Sequence, residues 1–143
     1  MLIYFVIVVV VLLTGIFILG RFYPDNIAET APDGGRKNLK TRIYQTDPAT
    51  AVKTVKEIIP TLSSYGGNWK IVGESESAEK GKIIKAEIQV VVFTDDLEVY
   101  LKETEKGVSI DAKSNSRVGK SDLGENARHI NQLLKALDEK LNK

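Results

Sequence analysis

The chain has 143 residues, room for one modest domain, with 20 basic and 19 acidic residues and a net charge of +1. That balance excludes a nucleic-acid binder held by a bulk positive field. The absence of cysteine excludes disulfides, thiolate metal sites, Fe–S clusters and cysteine nucleophiles, and a single histidine excludes multi-histidine metal sites.

Leu2 to Leu19 carries no charge, and only Thr14 and Gly15 depart from its apolar character. As a helix it rises about 27 Å, close to the roughly 30 Å hydrocarbon core of a bilayer. Within lipid a lone segment can satisfy its backbone only as a helix. Residues 1–23 therefore read as a single-pass transmembrane anchor, touching the lipid bilayer through residues 2–19, with Phe22 and Tyr23 beside Arg21 at headgroup level and Tyr4 at the other end. A cleaved signal peptide is the competing reading. It lacks a Lys/Arg n-region here, the apolar run exceeds the usual length of roughly 7 to 15 residues, and Ala28 and Ala31 make a poor cleavage signature. A buried soluble helix would not be apolar on every face. Gly15 and Gly20 do not have GxxxG spacing, so dimerisation through this helix is unsupported. Arg21, Arg36, Lys37 and Lys40 follow the span, a count that by itself favours a cytoplasmic body.

Residues 24–46 read as a flexible tether, with Pro24, Pro32, Asp33, Gly34 and Gly35 among mixed charges and few apolar residues. Ile43 and Tyr44 are expected to dock on the domain as a short extended piece. The α+β domain occupies residues 47–143. Asp47 can cap a first helix whose opening position suits Pro48, and Val52, Val55, Ile58, Ile59 and Leu62 recur at helical spacing until Pro60 interrupts the ladder.

Four strand-like runs follow: Asn68–Glu74, Lys82–Phe93, Asp96–Glu103 and Val108–Asn115. Ile84, Ala86, Ile88, Val90 and Val92 alternate with Ile83, Lys85, Glu87, Gln89 and Val91, and the later runs alternate in the same way. A period of two gives one buried and one wetter face, and the short polar turns make neighbours antiparallel. A final helix from Leu123 to Leu141, capped by Asp122 with Glu125 three residues on, carries an apolar stripe through Ile130, Leu134 and Leu137. The expected fold class is α+β: a four-stranded antiparallel meander with two helices on one face, preceded by one transmembrane helix. The opposite face is polar, with Lys85, Glu98, Tyr100, Lys102 and Lys113, and is studded with Ile83, Val91 and Phe93.

The hairpin between the last two strands places residues that share a face directly across from each other. Pairing Leu101 with Ile110 and Val99 with Ala112 satisfies this rule. It sets Asp96 across from Asn115 and Asp95 near Ser116 and Arg117. One end of the sheet thus gathers Asp95, Asp96, Ser116, Arg117, Ser121 and Asp122, with Asn126 on the helix that follows. The structural reading pairs Arg117 with Asp95 or Asp96 and uses Asp122 as a cap. A binding reading uses Arg117, Ser116, Ser121 and free amides to hold a polar or anionic ligand, against the objection of the nearby carboxylates. A catalytic reading founders on geometry, because adjacent strand residues such as Asp95 and Asp96 point to opposite faces. His129 reads as a packing or surface histidine. No GxxxxGK[ST], GxGxxG or GxSxG occurs, so no catalytic residue, cofactor or metal site is expected.

Ser114 to Ile130 reads SNSRVGKSDLGENARHI. This closely resembles the C-terminal signature of the bacterial and plastid domain-of-unknown-function family 1499, S-x-S-R-x-G-x-S-D-x-G-x-N-x-x-R-I. Ser114, Ser116, Arg117, Gly119, Ser121, Asp122, Gly124, Asn126 and Ile130 match, and His129 stands where the pattern has its second arginine. The TDPAT run at Thr46 to Thr50, Trp69, and the Phe93, Asp95, Asp96 element also resemble the family, so the likeness spans Tyr44 to Leu137. A Cys-Pro-x-Ser-Pro-Asn-Cys segment typical of relatives is replaced here by APDGGRKNLK. The resemblance implies an envelope or thylakoid-associated protein without an established activity, and it favours an extracytoplasmic domain over the weak charge count. The expected function is a membrane-tethered, non-enzymatic binding or scaffold domain of the cell envelope, with a protein partner on the polar sheet face and no nucleic acid. The alternative is an envelope small-ligand-binding protein or hydrolase using Asp95, Asp96, Arg117 and Ser121.

Overall fold

A computed structural model describes residues 1–22 and 24–142. Tyr23, expected at headgroup level, lies outside the described residues. Helix α1 (Leu2–Phe22) is apolar all round, and the domain buries none of its residues. After it come β1 (Ile27–Glu29), β2 (Arg42–Tyr44), α2 (Pro48–Ile58), a 3-10 turn over Ile59–Thr61, the short pair β3 (Ser63–Ser64) and β4 (Gly67–Asn68), β5 (Lys70–Ser77), β6 (Gly81–Val90), β7 (Phe93–Thr104), β8 (Gly107–Ser116) and α3 (Glu125–Leu141).

Asp47 caps α2 as its residue type predicts, accepting the Thr50 N–H at 2.9 Å ahead of Pro48. Ala51, Val55 and Ile58 of α2 and Ile130, Leu133, Leu134 and Leu137 of α3 cover the inner face of the sheet. That face presents Ile84, Ala86 and Ile88 from β6, Leu97, Val99 and Leu101 from β7, and Val108, Ile110 and Ala112 from β8. Trp69 closes this core, with its indole N–H donating to Ser64 Oγ at 3.0 Å. The antiparallel register of β7 and β8 is the one alternation predicts, with Leu101 opposite Ile110 and Asp96 opposite Asn115.

The sheet has six strands, not four, in the order β1-β8-β7-β6-β5 with β2 also on β8. The extra two come from the stretch expected to be a tether. β1 pairs Ile27 with Asn115 and Glu29 with Lys113, and β2 pairs Arg42 with Ile110 and Tyr44 with Val108. Between them Thr30 bridges the gap, its N–H donating to the Ala112 carbonyl at 2.9 Å and its hydroxyl to Asp111 at 2.7 Å. Ala28, Leu39 and Tyr44 are buried, so residues 24–46 contribute core as well as edge pairing. The Tyr44 hydroxyl donates to Asp138 near the end of α3 at 2.7 Å, and Arg42 pairs with the same carboxylate at 3.1 Å.

Two boundaries also differ. The second strand was expected to run through Phe93, but the chain reverses at Val91–Val92, so Val92 is exposed rather than inward and Phe93 opens β7. Val91 sits at φ +54°, a left-handed conformation that costs a β-branched residue strain. Helix α3 begins at Glu125 rather than Leu123, because Leu123 and Gly124 both take positive φ. Asp122 still satisfies the first turn, accepting from the Gly124 and Asn126 N–H groups at 2.8 and 2.9 Å.

A protein starting at Pro24 should unfold in urea as one cooperative transition, whereas one starting at Asp47 should show none, because β8 loses its second partner and the core loses Leu39 and Tyr44. Gly107→Ala tests the same edge from the other side. At φ +120° a Cβ there would lie 2.1 Å from the Tyr44 carbonyl oxygen. The variant should lose about 2–4 kcal/mol of stability in urea titration, against a change within about 0.5 kcal/mol for Gly73→Ala, which meets nothing.

Candidate functional site

The residues gathered by the hairpin register divide between two sides of the sheet. Successive residues on a strand alternate faces, so Asp95 points in and Asp96 points out. On the outer face Arg117, just past β8, donates through Nε to both Asp96 oxygens at 3.1 and 3.0 Å, and through Nη2 to Asp96 Oδ1 at 2.7 Å and to Glu87 on β6. Hydrogen bonds that Arg117 donates to Asp96 and then to Glu87 push the guanidinium pKa up, so Arg117 is a fixed, committed cation.

On the inner side lies a second, buried cluster built around Asn126 in the first turn of α3. Its Nδ2 donates to the Asn26 carbonyl and to Ser116 Oγ, both at 2.9 Å, and its Oδ1 accepts from the Ser114 hydroxyl at 2.5 Å. Asp95 and His129 are also buried, with His129 Nδ1 3.5 Å from Asp95 Oδ2 and His129 Nε2 3.5 Å from Glu125 Oε1. Both imidazole nitrogens and Asp95 Oδ2 lack a hydrogen-bond partner. The His129 ring is capped edge-on by Trp69, at 5.6 Å between centroids.

Burial drives the ionisation of this cluster. Desolvation raises the Asp95 pKa, opposed by a hydrogen bond from Ser116 and reinforced by Asp122, Glu125 and Asp96. Desolvation likewise lowers the His129 pKa. Burial also pushes Glu125 up, but hydrogen bonds from Arg128 and Tyr65 outweigh it and hold Glu125 below the usual carboxylate range. A neutral imidazole has one N–H and two carboxylates beside it, so it can serve only one of them.

The sequence profile described as "Protein of unknown function (DUF1499)" matches residues 23–137. The chain belongs to this family. No curated protein matches it. Among solved structures it is similar to the crystal structure of protein CV1439 from Chromobacterium violaceum, at 11% identity and a TM-score of 0.46, covering 82% of this chain and 99% of that one.

The residues that carry the resemblance to DUF1499 take distinct places in the fold. Ser114, Ser116 and Asn126 form the buried tie, and Ile130 is core. Gly119, at φ +91°, offers its carbonyl to Asn26 Nδ2 at 2.7 Å. Gly124 takes φ +83° ahead of α3, Asp122 receives the helix N–H groups, and Ser121 Oγ accepts the Leu123 N–H at 3.3 Å. Arg117 faces outward. Asp95, Ser116 and Asn126 therefore meet inside, Asp96 and Arg117 meet outside, and the two groups do not form one site. Sequence reading missed His129, Glu125, Trp69 and Asn26 as members of the inner cluster. The spacing of Glu125 and His129, one helical turn apart beside Ile130, was the signal for the first two. Asn26 left none.

Two outcomes follow. Asn126→Ala should cost about 2–4 kcal/mol in urea titration, because it strands the buried Ser114 hydroxyl and the Asn26 carbonyl. Asp95→Asn tests the raised carboxyl. A group whose folded-state pKa is raised contributes stability at low pH and loses it as pH rises through the folded value, while the depressed His129 behaves oppositely. Thermal unfolding should show the stability of Asp95→Asn relative to the parent growing as pH rises above about 4, the ordinary aspartate value. A pH-independent offset would contradict this assignment.

Proposed function

We propose that this protein is a single-pass, membrane-tethered, non-enzymatic binding or scaffold domain of the cell envelope, with its α+β domain on the extracytoplasmic side and its open sheet face as the contact surface. The observation that carries the reading is α1. It is 21 residues long, has a mean hydropathy of 3.2 over its central window, and none of that window is covered by the rest of the protein. At about 1.5 Å per residue it is long enough to cross a bilayer.

The open face supports an interaction role. Its charges are held in place rather than mobile: Lys85 pairs with Glu98 at 3.8 Å, the Tyr100 hydroxyl donates to Glu98, and Lys80 stacks over the Tyr100 ring at 4.4 Å. A preordered polar surface loses less entropy on binding. The alternative, a small-ligand site or hydrolase at Arg117, is served less well. Arg117 is engaged by two carboxylates and borders a hollow of about 290 Å³, and the buried Asp95 and His129 do not line it. Small-molecule sites typically span about 300–1,000 Å³.

Alkaline extraction tests the anchor. The full chain should stay with carbonate-washed membranes and a chain starting at Pro24 should not, and a soluble full chain would overturn the reading. Photo-crosslinkers placed at Lys85 and Lys102 in cells should give discrete adducts that one at Lys106, on the far turn, does not. Loss of every adduct would remove the sheet face as the contact surface.

A further inference from the structure

The two ends of the sheet differ in chemistry. At one end the turns between β5 and β6 and between β7 and β8 carry Ala78-Glu79-Lys80 and Glu105-Lys106. At the other end the β6–β7 turn carries Val91 and Val92 followed by Phe93, with 67%, 77% and 50% of their surfaces exposed. Val118, in the loop after β8, is 60% exposed. Apolar side chains clustered at an exposed tip mark a contact surface. The turn itself reinforces this. A two-residue hairpin turn with positive φ at its first position favours glycine or asparagine, and here it holds a valine at φ +54°.

The chain path says what meets this tip. Ser116 lies opposite Asp95, and the Arg117 N–H donates to the Thr94 carbonyl at 3.3 Å, so the end of β8 and the base of the tip are adjacent. The Ser116 N–H donates to the Asn26 carbonyl at 3.0 Å, and the Asp122 N–H to the Asp25 carbonyl at 3.4 Å. Asn26 is also held by Asn126 and by Gly119. Helix α1 ends at Phe22, four residues before Asn26. At no more than about 3.6 Å per residue that link reaches roughly 14 Å. The sheet end bearing Val91, Val92 and Phe93 is therefore moored at the mouth of α1. Headgroup layers add only several ångströms to each side of a hydrocarbon core of about 30 Å.

We propose that Val91, Val92 and Phe93, with Val118 beside them, insert into the interfacial layer of the bilayer that α1 spans, so that the sheet stands end-on to the membrane at two points. This rests on the anchor reading above. α1 supplies attachment. The tip supplies orientation, because one flexible point cannot fix the tilt of a domain and two points constrain it. The open face is then carried upright, along the membrane normal, with the Glu105-Lys106 turn at the far end. β7 alone, with 12 residues, sets that turn roughly 35–40 Å from the tip.

The protein contains no cysteine, so single-cysteine spin labels can be introduced without background. The full chain, reconstituted in phosphatidylcholine vesicles, would be labelled at Val92→Cys, Lys106→Cys and Leu12→Cys in turn. Collision rates with dissolved oxygen and with a water-soluble nickel chelate would then be compared. The expected result is an oxygen-to-nickel ratio several-fold higher at Val92 than at Lys106, and higher again at Leu12. A hydrocarbon signature at Leu12 with an aqueous Val92 overturns this inference and leaves the anchor intact. An aqueous Leu12 overturns the anchor and the inference together. A Val92 label shielded from both reagents assigns the tip to a protein contact and also overturns it. Val92 is 77% exposed, so its substitution is expected to leave the fold intact, which circular dichroism of each labelled chain would check.

Discussion

One buried amide holds the domain together at the end where the chain leaves α1. Asn126 donates to Asn26 and Ser116 and accepts from Ser114, joining the start of α3, the end of β8 and the chain leaving α1. Buried polar groups must find partners or cost the fold their desolvation, so a fully satisfied amide specifies this arrangement over a slipped one. The glycines at 119 and 124 and the Asp122 carboxylate shape the backbone that brings these groups together. The run from Ser114 to Ile130 that carries the family resemblance is, in physical terms, largely the recipe for this junction.

The second organising element is β8, which is paired along both edges. β7 runs its full length on one side, and β1 and β2 divide the other between them. This hides what would otherwise be a long exposed edge, a recognised route to aggregation. Tyr44 and Arg42 carry the connection on to Asp138 at the opposite end of α3, so the helix is fastened near both of its ends. Burial and the Asp138 hydrogen bond push the Tyr44 pKa up, leaving the hydroxyl a permanent donor.

The charges follow from strand geometry. Asp95 and Asp96 are neighbours in sequence but belong to different environments, one desolvated beside His129 and the other in a surface cluster with Arg117 and Glu87. The outer cluster is a wet network of modest energetic weight. The inner one is where titration and folding are coupled, because two carboxylates flank an imidazole that burial keeps toward its neutral form.

Periodic segments were legible from residues alone. The apolar helix α1, the capped start of α2, the alternation of β6, β7 and β8 and the register between the last two all follow from local patterns that repeat often enough to be read. So did the proximity of Asp96 and Arg117, since register fixes which strand residues are neighbours. The role of residues 24–46 was legible only at its end, where Ile43 and Tyr44 dock as the short extended piece expected of them, in β2. Its two strands are three residues each, too short for alternation to show, and Ala28, Leu39 and Tyr44 reach the core from a stretch rich in turns and charge. Nor could a pattern place His129 against Asp95 and Trp69, or Asn26 against Asn126, because those contacts join elements far apart in the chain. Sequence determined the periodic elements through the spacing of their apolar residues. Tertiary structure decided which polar groups are buried together, because that depends on how the packed layers close over one another.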